Sequence, residues 1–191
     1  DSEVLNYLSD KAMLKDFSGE VRKQQWRETW TMLSKDYCWL IGSGLSGYQT
    51  AIQAYHQEGI FFNFSRDTEF RTKIVWFDEE YKAKHWRPVE IYMYPHNILL
   101  NFWVELGLAG ALLFVWIIGK FFYLGIRNYE LKIKNNKNKD YLILGIVGAM
   151  IVIIVHGIVD VPYFKNDLAI MFWAMLALIG TMHLKIKDES K

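Results

Sequence analysis

The sequence predicts an all-α, polytopic integral membrane protein, in which a large extracytoplasmic helical region precedes three C-terminal transmembrane helices. Three observations predict it. Charged residues are dense before residue 95 and sparse after it. Three apolar runs follow, at about 98–122, 141–159 and 168–184, each near the 20 residues a helix needs to cross a bilayer. Basic residues fall on one side of those runs. Arg127, Lys132, Lys134, Lys137 and Lys139 lie between the first two, and Lys185, Lys187 and Lys191 follow the third. The short connection between the second and third has only Lys165. The positive-inside rule therefore puts 123–140 and the 185–191 tail in the cytoplasm, and 160–167 and the first 95 residues outside.

Composition excludes several classes. With 52% hydrophobic residues the chain is only slightly above a soluble average, so the distribution carries the argument. A formal net charge of +1 gives no case for nucleic acid. One cysteine, Cys38, excludes a disulfide framework and a cysteine-rich metal site. No cluster has the ligand count of a metal centre, and no cofactor is expected. Residue 1 is Asp and no signal peptide is visible. A chain that starts inside a polar segment and ends in membrane spans is expected to be a piece of something longer.

Residues 1–17 have weak helical period and read as helix or loop. Ser18-Gly19-Glu20 reads as a helix start with Ser18 as the cap. The run to Ser34 places Trp26, Trp30 and Leu33 on one face, bordered by Arg22. Such a face suits packing on protein or the headgroup layer. Gly42, Gly44 and Gly47 spell G-x-G-x-x-G, but no βαβ pattern surrounds them, which argues against a dinucleotide site. The turn's backbone N–H groups could meet a phosphate, although a tight turn between two helices is the simpler reading. Residues 48–58 read as a short helix with Tyr48, Ile52 and Tyr55 on one face. Residues 59–94 are too aromatic for disorder and too irregular to assign; a binding loop or lid is expected. His56 and His85 stand in this region without evident partners. His183 ends the third span on the cytoplasmic side.

The chain is organised around Tyr94-Pro95-His96-Asn97, where the polar segment meets the first apolar run. Pro95 suits the first turn of a helix. Asn97, Asn101 and Glu105 recur every four residues, so they form one polar stripe. On a helix otherwise coated in Leu, Phe and Trp that stripe must face protein or a wet cavity. An imidazole is thus held at the outer rim of a membrane. His156 and Asp160, at i and i+4 before Pro162, sit at the outer end of the second run, on the same side as His96. They either satisfy each other or orient helices around His96. Gly107 and Gly110, with Ala109 and Ala111, suit close helix packing.

This order of features resembles the Wzy/WaaL superfamily of O-antigen ligases, O-antigen polymerases and related bacterial glycan transferases. The ligase pattern of His, Asn/Ser/Gln, nine residues, Gly, two residues, Gly is met by His96, Asn97, Gly107 and Gly110. Upstream, Arg22, Trp26 and the Ile41-Gly42-Ser43-Gly44 turn are similar to the family's arginine, tryptophan and glycine turn. Downstream, His156, Asp160 and Pro162 are similar to its His–Asp pair beside a short outer loop. The family's usual proline before the glycine turn is absent; Cys38-Trp39 stand there. The resemblance covers roughly residues 18–184 and corresponds to the C-terminal portion of the family.

The resemblance implies a GT-C-like membrane glycosyltransferase in the bacterial inner membrane. It moves a glycan from an undecaprenyl-diphosphate carrier to an acceptor hydroxyl on the outer face, and its acceptor is a glycan or a lipid A-core-type molecule, as in lipopolysaccharide assembly. A departing diphosphate needs cationic donors, the role expected of Arg22. The acceptor must lose a proton, and an imidazole is suited to take it near neutral pH, the role expected of His96. Asn97, Glu105 and Asp160 are candidates for binding substrate or orienting His96. Glu105 is expected to lack a partner within this piece, and residues 1–191 alone are expected to be inactive. Membrane lipid is an expected partner; nucleic acid and metal are not. A repeat polymerase or a protein O-glycosyltransferase of the same superfamily is the alternative. Outside the class stands a membrane transporter fragment, which would need polar, broken spans at the bilayer midplane.

Overall fold

The computed structural model describes residues 2–35, 37–76, 78–134, 141–162 and 166–188. Lys137, Lys139, Lys165 and Lys191, used above for topology, lie outside them. Among the described residues the fold is helical apart from one two-stranded sheet, consistent with an all-α membrane protein.

Helix α1 spans Ser2–Ala12 and α2 spans Phe17–Lys35. The α2 cap is Asp16, not Ser18: the Gly19 amide donates to Asp16 Oδ1 at 3.0 Å. Asp16 stands one residue before the first helical position, where a short acceptor reaches the third amide. Ser18 lies inside the first turn and accepts from Arg22 Nη1 at 2.8 Å.

The buried side of α2 also differs from the expected tryptophan stripe. Val21, Gln24, Gln25, Glu28, Thr29, Met32 and Leu33 are buried, while Trp30 is exposed. Polar groups can be buried because they are paired. Gln24 Nε2 donates to Glu28 Oε1 at 2.8 Å, Glu28 Oε1 accepts from the Gln57 amide at 2.9 Å, and Thr29 shares a hydrogen bond with the Tyr48 hydroxyl at 2.9 Å. His56, which lacked an evident partner in the sequence, lies 3.3 Å from Glu28 Oε2 and 2.9 Å from the Val89 carbonyl.

Residues 59–94 form a small folded unit. Strand β1 (Gly59–Phe61) pairs antiparallel with β2 (Trp86–Pro88), with Ile60 opposite Arg87. Helices α5 (Phe70–Val75) and α6 (Glu79–His85) lie between the strands in sequence. Asp67 ties the unit together, accepting from Lys73 Nζ and the Tyr81 hydroxyl, both at 2.7 Å. Those bonds, Lys73 foremost, hold its carboxyl down at about 2. His85, also expected to lack a partner, is buried, stacks on the Tyr81 ring at 4.0 Å and meets the Tyr81 carbonyl at 2.8 Å.

Between these regions lie α3 (Cys38–Ile41) and α4 (Tyr48–Ile52). Three long helices complete the chain: α7 (Ile98–Lys134), α8 (Tyr141–Gly157) and α9 (Asn166–Asp188). Helix α7 is not straight. Gly107 has φ 70° and ψ −173°, outside helical geometry. The Phe102 ring stacks on Phe114 with centroids 4.1 Å apart, whereas twelve residues of straight helix would separate them by about 18 Å. The expected single span over 98–122 is therefore corrected. A short arm, 98–106, folds back along a long arm, 108–134. The left-handed φ at the bend is one that glycine adopts without a Cβ penalty.

Among the described residues, α7 and α9 are long and apolar enough to cross a membrane. Helix α8 has 17 residues, about 25 Å at 1.5 Å per residue, and falls short of the usual length. One core cluster joins the long helices through Phe114, Phe121, Ile143, Met150, Phe172 and Ile179. A second joins α2, α4 and the short arm of α7 through Met32, Leu33, Tyr48, Ile52 and Val104.

Candidate active site

Residues 92–97 form a turn that enters the short arm of α7. Asn97 caps that arm: its Oδ1 accepts from the Leu100 amide at 3.0 Å, and its Nδ2 donates to the Ile158 carbonyl at 2.9 Å. Both ends of the amide are thus engaged by protein, and Asn97 fixes the helix start against the end of α8. From the other side, Trp26 Nε1 donates to the Pro95 carbonyl at 2.8 Å. The turn is therefore pinned between α2 and the chain following α8.

His96 sits at the centre with φ 46°, a conformation rare for a residue with a Cβ. Its ring meets Tyr92 and Tyr94 edge to face, at centroid distances of 5.0 and 4.9 Å. The two tyrosines stand four and two residues before His96, a clustering that is visible in the sequence. His96 Nδ1 lies 3.3 Å from Asp160 Oδ1, and that oxygen also accepts from the Val161 amide at 2.8 Å. Asp160 Oδ2 is 3.4 Å from His156 Nε2. One carboxylate thus lies between two imidazoles.

Burial holds the His96 pKa below its ordinary value; the Asp160 carboxylate pulls it upward and the Arg22 charge pushes it down, but burial prevails. The ring is mainly neutral near pH 7. A carboxylate can only accept at Nδ1, so the proton belongs there and Nε2 carries the lone pair. Arg22 lies on α2 one turn before Trp26, close enough for its charge to act on His96. Its Nη1 is held by Ser18, but its buried Nε has no hydrogen-bond partner among the described residues. A buried donor of that kind awaits an acceptor.

The structure brings Arg22, His96 and Asp160 together, and leaves Glu105 about 13 Å further along the short arm. Glu105 is not without a partner, contrary to expectation. Its Oε1 accepts from the Ser46 amide at 3.3 Å, and Asn101 bonds to its carboxylate. Asn101 and Glu105 are both buried, so the polar stripe packs on protein.

That packing explains the glycines. The Ser43 amide donates to the Val104 carbonyl at 2.6 Å and the Gly44 amide to the Glu105 carbonyl at 3.1 Å. The glycine turn therefore caps the C-terminal end of the short arm, and these N–H groups are not free for a phosphate. A Cβ on Gly42 would stand 2.5 Å from the Glu105 carbonyl oxygen, and one on Gly107 would collide with the Leu40 carbonyl. The two glycine motifs, about 60 residues apart in sequence, meet backbone to backbone.

A family model described as O-antigen ligase matches residues 2–115. No curated protein and no solved structure gives a significant match. The matched region runs from α1 through the glycine turn and the His96 turn to the bend at Gly107 and into the long arm of α7. The chain belongs to the O-antigen ligase family, within the Wzy/WaaL superfamily.

Proposed function

We propose that the chain transfers a glycan from an undecaprenyl-diphosphate carrier to an acceptor hydroxyl, at the outer face of the bacterial inner membrane. The observation that carries this reading is the neutral His96 ring, backed by Asp160, beside the Arg22 Nε, which has no hydrogen-bond partner among the described residues. His96 Nε2 takes the proton of the acceptor hydroxyl as its oxygen attacks the anomeric carbon. The bond from that carbon to the diphosphate oxygen breaks, and its electron pair leaves with the lipid diphosphate. Arg22 meets the charge that develops there. Asp160 compensates the imidazolium that forms. The long arm of α7 with α8 and α9 would carry the site across the bilayer, basic ends inward. Ligase and polymerase share this step and differ in the acceptor.

The test is glycan transfer by the complete protein in cells lacking an endogenous transferase, with His96→Ala and Arg22→Ala alongside. Loss of about 10²- to 10⁴-fold in the His96 variant, with normal membrane insertion, is expected. Undiminished transfer by His96→Ala would remove the imidazole from the chemistry.

A further inference from the structure

Trp26 and Trp30 take no part in the transfer step, yet neither is packed away. Trp26 is half-buried and Trp30 is 55% exposed. Both line a groove of about 700 Å³ between α2 and the short arm of α7. Lys23, Arg27 and Thr31 of α2 and Leu100 of the short arm complete the lining. The spacing on α2 explains its make-up. Trp26 and Trp30 are one turn apart, and so are Lys23, Arg27 and Thr31, so an indole row and a polar row run side by side along the helix.

Both rows are held in place. Trp26 Nε1 donates to the Pro95 carbonyl at 2.8 Å. The Trp30 ring meets the Trp103 ring edge to face at 5.7 Å, and Trp103 Nε1 is itself fastened to the Trp39 carbonyl at 2.8 Å. In the polar row, Lys23 pairs with Glu20 at 2.8 Å, Arg27 Nε donates to the Lys23 carbonyl at 3.3 Å, and Thr31 Oγ1 donates to the Arg27 carbonyl at 2.8 Å. A surface fixed in advance loses little freedom on binding. One end of the groove adjoins the reacting groups. Arg22 is the residue before Lys23, and Pro95 is the residue before His96. Arg22, Trp26 and Trp30 recur every four residues, a rise of about 6 Å each, close to the length one sugar ring adds to a glycan chain.

We propose that this groove is the subsite for the donor glycan: with the diphosphate at Arg22, the first sugar stacks on Trp26 and the second on Trp30. The inference rests on the transfer reading, which puts the diphosphate at Arg22. An indole face matches the C–H face of a pyranose ring, and the polar row beside it meets the hydroxyls on the ring's edge. A lipid surface fits less well, because Lys23, Arg27 and Thr31 interrupt the apolar face that burial in a bilayer requires.

The test is a titration of the complete protein with the glycan released by mild acid from the lipid-linked donor of the cells in which transfer is scored. That glycan has lost its diphosphate and is not turned over, so binding is read apart from transfer. Saturation-transfer NMR gives the affinity and the rings in contact. Binding is expected, with the two sugars at the reducing end saturated most strongly. Trp30→Ala should weaken it about 5-fold, and Trp30→Phe, which keeps a ring, should recover most of that loss. The single reducing-end sugar should lose less than the chain. No binding by the parent, or equal binding by Trp30→Ala, overturns the proposal. So does quenching of the Trp30 fluorescence, taken as parent minus Trp30→Phe, by brominated phosphatidylcholine in nanodiscs, which would make the groove a membrane contact. Undiminished transfer by His96→Ala strikes the transfer reading alone, so the two failures are told apart.

Discussion

Two imidazoles sit along the same helical bundle, and they differ in what each ring is fastened to. His96 meets a carboxylate at 3.3 Å, near the end of α8, while His183 meets the amide of Asn128 at 2.7 Å, further along the long arm. The carboxylate supplies a counter-charge when the ring takes up a proton; the amide supplies none. His96 is also set in a turn among tyrosine rings, whereas His183 lies on a long helix beside a groove. The partner atom and the backbone setting, more than burial, decide whether an imidazole can handle protons or serves to join helices.

The comparison can be broken first at the bend. Gly107→Ala places a Cβ at φ 70° and against the Leu40 carbonyl. Strain and overpacking together should cost about 2–5 kcal/mol, read as a lowered unfolding temperature in detergent. The short arm and His96 should be displaced while the Asn128–His183 pair stays in place. A Gly107→Ala protein as stable as the parent would show that the bend is not held by this contact.

Asp160→Asn makes the His96 site resemble the His183 site. Transfer should fall at least about tenfold, with little loss of stability. The pH profile should move as well. The base works when neutral, so activity falls as pH drops through the His96 pKa, which lies below 6.5. Removing the Asp160 charge lowers that pKa further, and the acid limb should shift to lower pH. A shift in the opposite direction would mean that Asp160 does not act on His96 through its charge.

Asn128→Ala is the converse. It deprives His183 of its side-chain partner and removes the second donor to the Ile179 carbonyl, which should cost about 1–3 kcal/mol of stability with transfer unaffected. A large loss of transfer would erase the distinction between the two histidines. Trp26→Phe should have the smallest effect. It removes only the bond to the Pro95 carbonyl, worth about 1 kcal/mol, and should loosen the His96 turn enough to be seen in its hydrogen-exchange rate.

Much of the region around His96 was legible because its signals are local. The start of the helix expected over 48–58, which ends at Ile52 and passes into a single tighter turn at Gln53–Tyr55, the polar stripe at Asn101 and Glu105, and the i, i+4 spacing of His156 and Asp160 are all periodicities. The bend at Gly107 was not legible, since a glycine in an apolar run reads equally well as a packing site within a straight helix. Nor was the unit of residues 59–94. Its stability comes from distant pairs, such as β1 with β2 and His56 with Val89, which leave no periodic trace. Asp16 and Ser18 are both good caps, and only the amide geometry separates them. The buried face of α2 was missed because Gln24, Glu28 and Thr29 read as surface until their partners on other segments are known.

The contact between Gly42 and Gly107 restricts how this chain can vary. In an ordinary pair of packed side chains, one can grow if the other shrinks. Here each glycine abuts main-chain atoms, which no substitution can trim. Neither position can be traded against the other, so a second-site suppressor of a change at one must move a whole segment.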